Sequence, residues 1–121
     1  MKMVNLRHGM AVIGLGLLAS ACATAKVPTD RLAASQAAIR TASEVGAERV
    51  PDASLYLRFA QEEQEQGRSF IAAGENEKAA VAFHRASADA ELAIALARQA
   101  GARNEAKAAA DALQAGSSGA R

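Results

Sequence analysis

Between Thr29 and Gln114, apolar residues return every three or four positions, the helical period, and three segments of this kind are separated by turn-forming residues. In the first, Leu32, Ile39, Ala42 and Val45 share a face with Ala38 beside them, while Arg31, Gln36, Arg40 and Glu44 fall on the wet side. Thr29 is expected as its N-cap, with Asp30 in the first turn near the positive helix end. Gly46 is expected just past its end, at Val45, where a residue without Cβ accepts positive φ. The second helix is expected to open at Pro51, which suits the first helical position, after a Val50 that the proline drives out of the α region. It runs to about Ala73, and its middle, residues 61–69, is almost wholly polar. Ala60, Gln64, Gly67 and Ile71 keep a narrow inner stripe through it, at 4-3-4 spacing.

Gly74, Glu75 and Asn76 form the next turn, with Asn76 as the expected cap of the third helix. That helix has the clearest period of all: Ala79, Phe83, Ala86, Ala90, Ala93 and Ala97 recur at 4-3-4-3-4. One aromatic followed by alanines calls for neighbours that approach closely. Gly101 is expected to break or kink it. Residues 103–114 are then an extension of the third helix, a short fourth helix or a frayed segment, and residues 115–121 a disordered tail. Two short turns between such helices imply an all-α fold, a small antiparallel bundle of three helices spanning 29–114. One continuous coiled coil is not expected, because Gly46, Pro51 and Gly74 interrupt it.

Composition thins this core. The 121 residues include 33 alanines against one Tyr, three Phe and no Trp, so the apolar content is mostly methyl groups. Marginal stability, or help from a partner or self-association, follows. Fourteen Lys and Arg against thirteen Asp and Glu leave no footprint for nucleic acid and no polybasic patch for a membrane surface. One Cys and two His exclude a disulfide scaffold and the usual Cys/His zinc sites, so no metal is expected.

The first 21 residues are of another kind. Lys2 and Arg7 precede an uncharged apolar run from Met10 to Leu18, followed by the small residues Ala19, Ser20 and Ala21. A positive start, a short apolar core and a small-residue cleavage site make a secretory signal. The uncharged stretch, interrupted by glycines, is too short for a spanning helix of about 20 residues. Leu18-Ala19-Ser20-Ala21-Cys22 resembles a bacterial lipobox, although the leucine stands one place further from the cysteine than is usual. That resemblance implies that Cys22 is lipidated and becomes the new N-terminus, with 22–28 as a tether. Ala23, not aspartate, follows it, which favours the outer membrane over the inner. Ordinary cleavage to a soluble exported protein is the competing reading.

From Leu32 to Ala97 the chain resembles the DUF4398 family of small bacterial envelope lipoproteins. The likeness is carried by Ala37-Ala38-Ile39 leading to Gly46-Ala47, by Pro51-Asp52-Ala53, by the turn from Gly74 to Ala79 and above all by Ala88-Asp-Ala-Glu-Leu-Ala93. The polar middle of the second helix departs from the family's Leu or Ala stripes. The family has no assigned activity, so the resemblance implies a fold and a place and nothing catalytic. Some members carry an OmpA-like peptidoglycan-binding domain; none is expected here, and peptidoglycan binding is not carried over.

Candidate chemistry is sparse. His84 sits off the apolar stripe and reads as a solvated or boundary histidine; His8 belongs to the leader. Glu62, Glu63 and Glu65 read as a solvated helix face, since no second acid or base is placed to work with them. Asp89 is expected to pair with Arg85, four residues back, or to face a partner with it. No enzyme and no cofactor are expected. The expected role is a membrane-anchored structural or adaptor lipoprotein that contacts another envelope protein, or itself as a homo-oligomer. Glu63, Gln64, Arg68, Arg85 and Asp89 are the candidate contact residues. The alternative is a periplasmic binding module for a small molecule or cell-wall component.

Overall fold

The computed structural model describes residues 25–119. Three helices pack as an antiparallel bundle: α1 over Thr29–Glu44, α2 over Pro51–Ala72 and α3 over Asn76–Ser118, with a short 3-10 turn at Ala47–Arg49. The described residues include no strand.

The punctuation follows the turn chemistry. Gly46 takes φ +80°, and its N–H donates to the Ser43 carbonyl as α1 ends. Val50 is extended and hands the chain to Pro51 at the first turn of α2. Gly74 takes φ +75°; its N–H donates to the Ile71 carbonyl and that of Glu75 to Phe70, closing α2 in a Schellman motif. Two expected caps are corrected. Thr29 and Asn76 both lie inside their helices, and neither start carries a side-chain cap. Asn76 instead donates from Nδ2 to the Ala25 carbonyl at 2.6 Å, tying the tether to the start of α3.

The core is made mostly of alanine. All six residues of the 79–97 stripe are buried, joined by Ala82, by Ala53, Leu57 and Ala60 of α2, and by Ala42 of α1. Leu57 centres a cluster near the α1–α2 connection, against which Ile39, Val45, Val50, Tyr56, Ile94 and Leu96 pack. At the other end Phe83, with no exposed surface, lies on the α2 backbone at Gly67: a Cβ there would stand 2.5–2.9 Å from the ring. Only glycine lets the two helices keep this separation.

One polar link crosses the core. Ser35 is buried on α1; its hydroxyl donates to the Leu32 carbonyl and accepts from Gln64 Nε2 at 3.1 Å. Each polar side chain supplies the other's partner, which makes their burial tolerable in a thin apolar core.

The third helix runs far past the bundle. It spans 43 residues, about 65 Å, against 22 residues and about 33 Å for α2. Gly101 neither breaks nor ends it, no separate fourth helix forms, and residues 115–118, expected as disordered tail, are still helical. Ala97 is its last buried residue, and from Gly101 onward every described residue is exposed. Gly101 costs about 1 kcal/mol relative to alanine, but Ala100, Ala102, Ala106 and the run Ala108–Ala110 carry the best intrinsic propensity for helix.

Candidate functional site

The side of the α2–α3 hairpin that α1 leaves open carries a line of side chains from each helix. Phe59, Glu63, Gln66 and Phe70 follow 4-3-4 spacing on α2, and Ala82, Arg85, Asp89, Leu92 and Leu96 follow 3-4-3-4 on α3. The antiparallel register that sets Gly67 on Phe83 runs these lines side by side.

At mid-hairpin the register brings two acids together. Glu63 is half-buried, and its Oε2 is buried without a hydrogen-bond partner. Loss of hydration, then the charge of Asp89, hold its carboxyl above the ordinary range, and Arg85 lowers it only in part. The Glu63 side chain therefore does not lie on the solvated helix face expected for it. Arg85 and Asp89 form no ion pair with each other; both charges instead act on Glu63, in opposite directions.

This position has a testable pH signature. The folded state holds the Glu63 proton more tightly than the unfolded chain does, so ionised Glu63 opposes folding. The penalty is present above the raised folded value and is lost as pH falls through it toward the ordinary value of 4.5. Glu63→Gln is expected to raise the urea midpoint at pH 7, with the difference shrinking as pH falls through that window. An equal difference at pH 7 and at pH 4 would count against the buried acid.

Toward the α2–α3 turn the face opens into a groove of about 450 Å³, lined by apolar Phe70, Val81 and Ala82 and by polar Gln66, Glu77, Lys78 and Arg85. Lys78 pairs with Glu75 and places its ammonium 5.7 Å from the Phe70 ring centroid. Toward the other end, Phe59 meets Tyr56 edge-on at 6.1 Å, under the Arg58 guanidinium. Phe59, Leu55, Leu92 and Val81 are 38–52% exposed.

Of the expected contact residues, Glu63, Arg85 and Asp89 gather on this face. Gln64 does not: it is buried against Ser35 on the α1 side and is not available for contact. Arg68 is exposed and held by Glu65 at 3.4 Å, and it donates to the side-chain amide oxygen of Gln64, Oε1, at 3.5 Å. His84 is exposed, in line with a solvated histidine. The leader 1–21 and Cys22 lie outside the described residues. Among those described, no group of three or more His, Cys, Asp or Glu is placed to hold a metal ion, and no helix is long and apolar enough to cross a membrane.

Two features escaped the sequence reading. Ser35 falls at 3-4-3 spacing between Leu32, Ile39 and Ala42, so the stripe itself carried the signal for its burial. The Glu63–Asp89 contact had no local signal, because only the register between α2 and α3 creates it.

No protein family, curated protein or solved structure matches the chain. The resemblance to the DUF4398 family accordingly rests on the quoted segments of sequence alone.

Proposed function

We infer that the chain is a lipid-anchored bacterial envelope protein, held by Cys22 and facing the periplasm, whose helical bundle serves as a structural or adaptor module through protein–protein contact. The observation that supports it most is the open hairpin face. It combines half-exposed Phe59, Leu55 and Leu92 with Glu63, whose Oε2 is buried without a hydrogen-bond partner. A docked protein removes that apolar surface from water and can bring a cation to the acids; by mass action it also stabilises a bundle with a thin core. The leader supports the place: a secretory pattern ends at a lone cysteine, with alanine next, which favours the outer membrane. The reading assigns no turnover and no cofactor.

The groove beside Phe70 favours a second reading, a binding module for a small molecule or cell-wall component, because its volume lies in the range of small-ligand sites. It is, however, an open stretch of the same face, with an apolar lining of only three residues. Contact with a helix fits it better than enclosure of a ligand.

Two measurements test the reading. Radiolabelled palmitate is expected to enter the protein in a bacterial host, and Cys22→Ser to abolish the label; a free thiol on the mature protein by intact mass would remove the anchor. A photocrosslinking residue at Arg85 is expected to trap one discrete protein in cells, and the same residue at Ala33, on the outer side of α1, to trap none. Equal smears from both positions, with a saturable glycan or small-molecule ligand on the purified protein, would favour the second reading.

A further inference from the structure

The part of α3 beyond Ala97 is about 31 Å of helix, fully exposed from Gly101 onward, while the open face lacks a helix to cover it. The two fit each other. Arg85, Asp89, Leu92 and Leu96 run along the open side of α3 at three- and four-residue steps, and the same line continues through Ala100, Arg103 and Lys107, with Asp111 at its border. Read backwards, the line is complementary to itself at three levels. Arg85 and Asp111 stand thirteen residues either side of Arg98, Asp89 and Lys107 nine, and Leu96 and Ala100 two.

We propose that the open α2–α3 face is covered by the projecting end of α3 from a second copy of this chain, in an antiparallel two-fold dimer centred at the level of Arg98. The proposal rests on the reading of that face as a protein-contact surface and names the occupant. In this arrangement the partner's Lys107 reaches the Glu63–Asp89 pair and adds a second cation beside Arg85. The partner's Asp111 meets Arg85, and the partner's Ala100 packs on Leu96. Two-fold symmetry repeats each contact, as an isologous interface requires. A parallel pairing would instead set Arg85 on the partner's Arg85 and Asp89 on the partner's Asp89, so charge selects the antiparallel form.

Within one copy, Lys107 and Asp111 lie 3.8 Å apart with side chains 78% and 65% exposed. Such a pair is worth a few tenths of a kcal/mol at most, so exchanging it for intermolecular partners costs little. The seam from residue 85 to residue 111 is about 39 Å long; a strip about 10 Å wide on each copy gives about 800 Å² in all. That falls below the usual 1,200–2,000 Å² of stable complexes, so the dimer is weak and favoured where copies are crowded.

The test uses the full-length chain in cells, as two differently tagged copies carrying benzoylphenylalanine in place of Phe59. Illumination is expected to give a crosslinked species that contains both tags. Lys107→Glu and Asp89→Lys are each expected to lower its yield about fivefold, and the double variant to restore it, because the charges are exchanged and not removed. Arg85→Glu with Asp111→Arg gives a second, independent swap. A crosslink to a different protein overturns the dimer and leaves the face as a contact surface. A two-tag product insensitive to every charge reversal, or lowered by the singles and not restored by either double, overturns the antiparallel seam. No crosslinked product from Phe59 or Arg85 overturns both the dimer and the contact reading beneath it.

Discussion

Phe83→Ala is expected to cost about 3–5 kcal/mol, a large share of the ~5–15 kcal/mol that holds a domain of this size together. The reason is the composition of its surroundings. Phe83 has no exposed surface and is the largest fully buried side chain described, and it lies against the α2 backbone at Gly67. Its helical neighbours in the stripe, Ala79, Ala82 and Ala86, are too short to fill the space it would leave. The cavity therefore persists, and the cost falls at the upper end of large-to-small substitutions. Gly67→Ala supplies the converse. Alanine gains about 1 kcal/mol in helix propensity, yet its Cβ would stand 2.5 Å from the ring, so the substitution is expected to destabilise the parent chain. Beside Phe83→Ala the obstruction is gone, and the same Gly67→Ala is expected to stabilise. Urea melts of the four proteins check this. Additive effects across the cycle would mean that ring and glycine are not in contact.

What was legible in the sequence was local or periodic. Gly46, Val50-Pro51 and Gly74 each act within a few residues of themselves, and the helices begin and end at them within one or two positions. The α3 stripe was legible because burial on one side of a helix repeats whatever the partner. The continuation of α3 was not. Gly101 looks like a terminator in sequence, but the alanines on both sides offset its cost and no proline or positive φ stops the chain there. Helix propensity alone sustains that segment, without a packing pattern to announce it.

The candidate site depends on information of a different order. Arg85 and Asp89 stand four apart on one helix and look like a pair in sequence, but Asp89 faces Glu63 on α2. That contact follows from the register between two helices, and the register follows from where Phe83 finds a residue without a Cβ. Gln64 makes the same point in the opposite sense. Its polarity marked it for the surface, while its place in the 60-64-67-71 stripe marked it for the core. The stripe prevailed because Ser35 stands opposite with a hydroxyl to accept its amide proton. A polar residue in an apolar period is a reason to look for a buried partner on the neighbouring helix.

Ala90→Leu is expected to cost about 1–3 kcal/mol, while Gln99→Leu shifts stability by less than about 0.5 kcal/mol. Ala90 has no exposed surface, and the register that sets Gly67 on Phe83 brings it to Ala60, which is equally buried. Three additional carbons between two alanine faces must push the helices apart or force a strained rotamer. Gln99 lies nine residues further along the same helix, beyond the last buried position, and its side chain already stands in water. The comparison therefore isolates packing from helix propensity, which leucine satisfies at both sites. The expected observation is a lower urea midpoint for Ala90→Leu with a slope changed little, since one side chain alters the total surface exposed on unfolding only slightly. Repeating the melt at tenfold dilution separates the two interfaces of α3. Ala90 faces α2 within one copy, so its loss should not depend on protein concentration, whereas any stability gained through the outer line of Leu92 and Leu96 should fall on dilution. A concentration-dependent penalty at Ala90 would move the dimer seam to the buried stripe and require that the bundle open to form it.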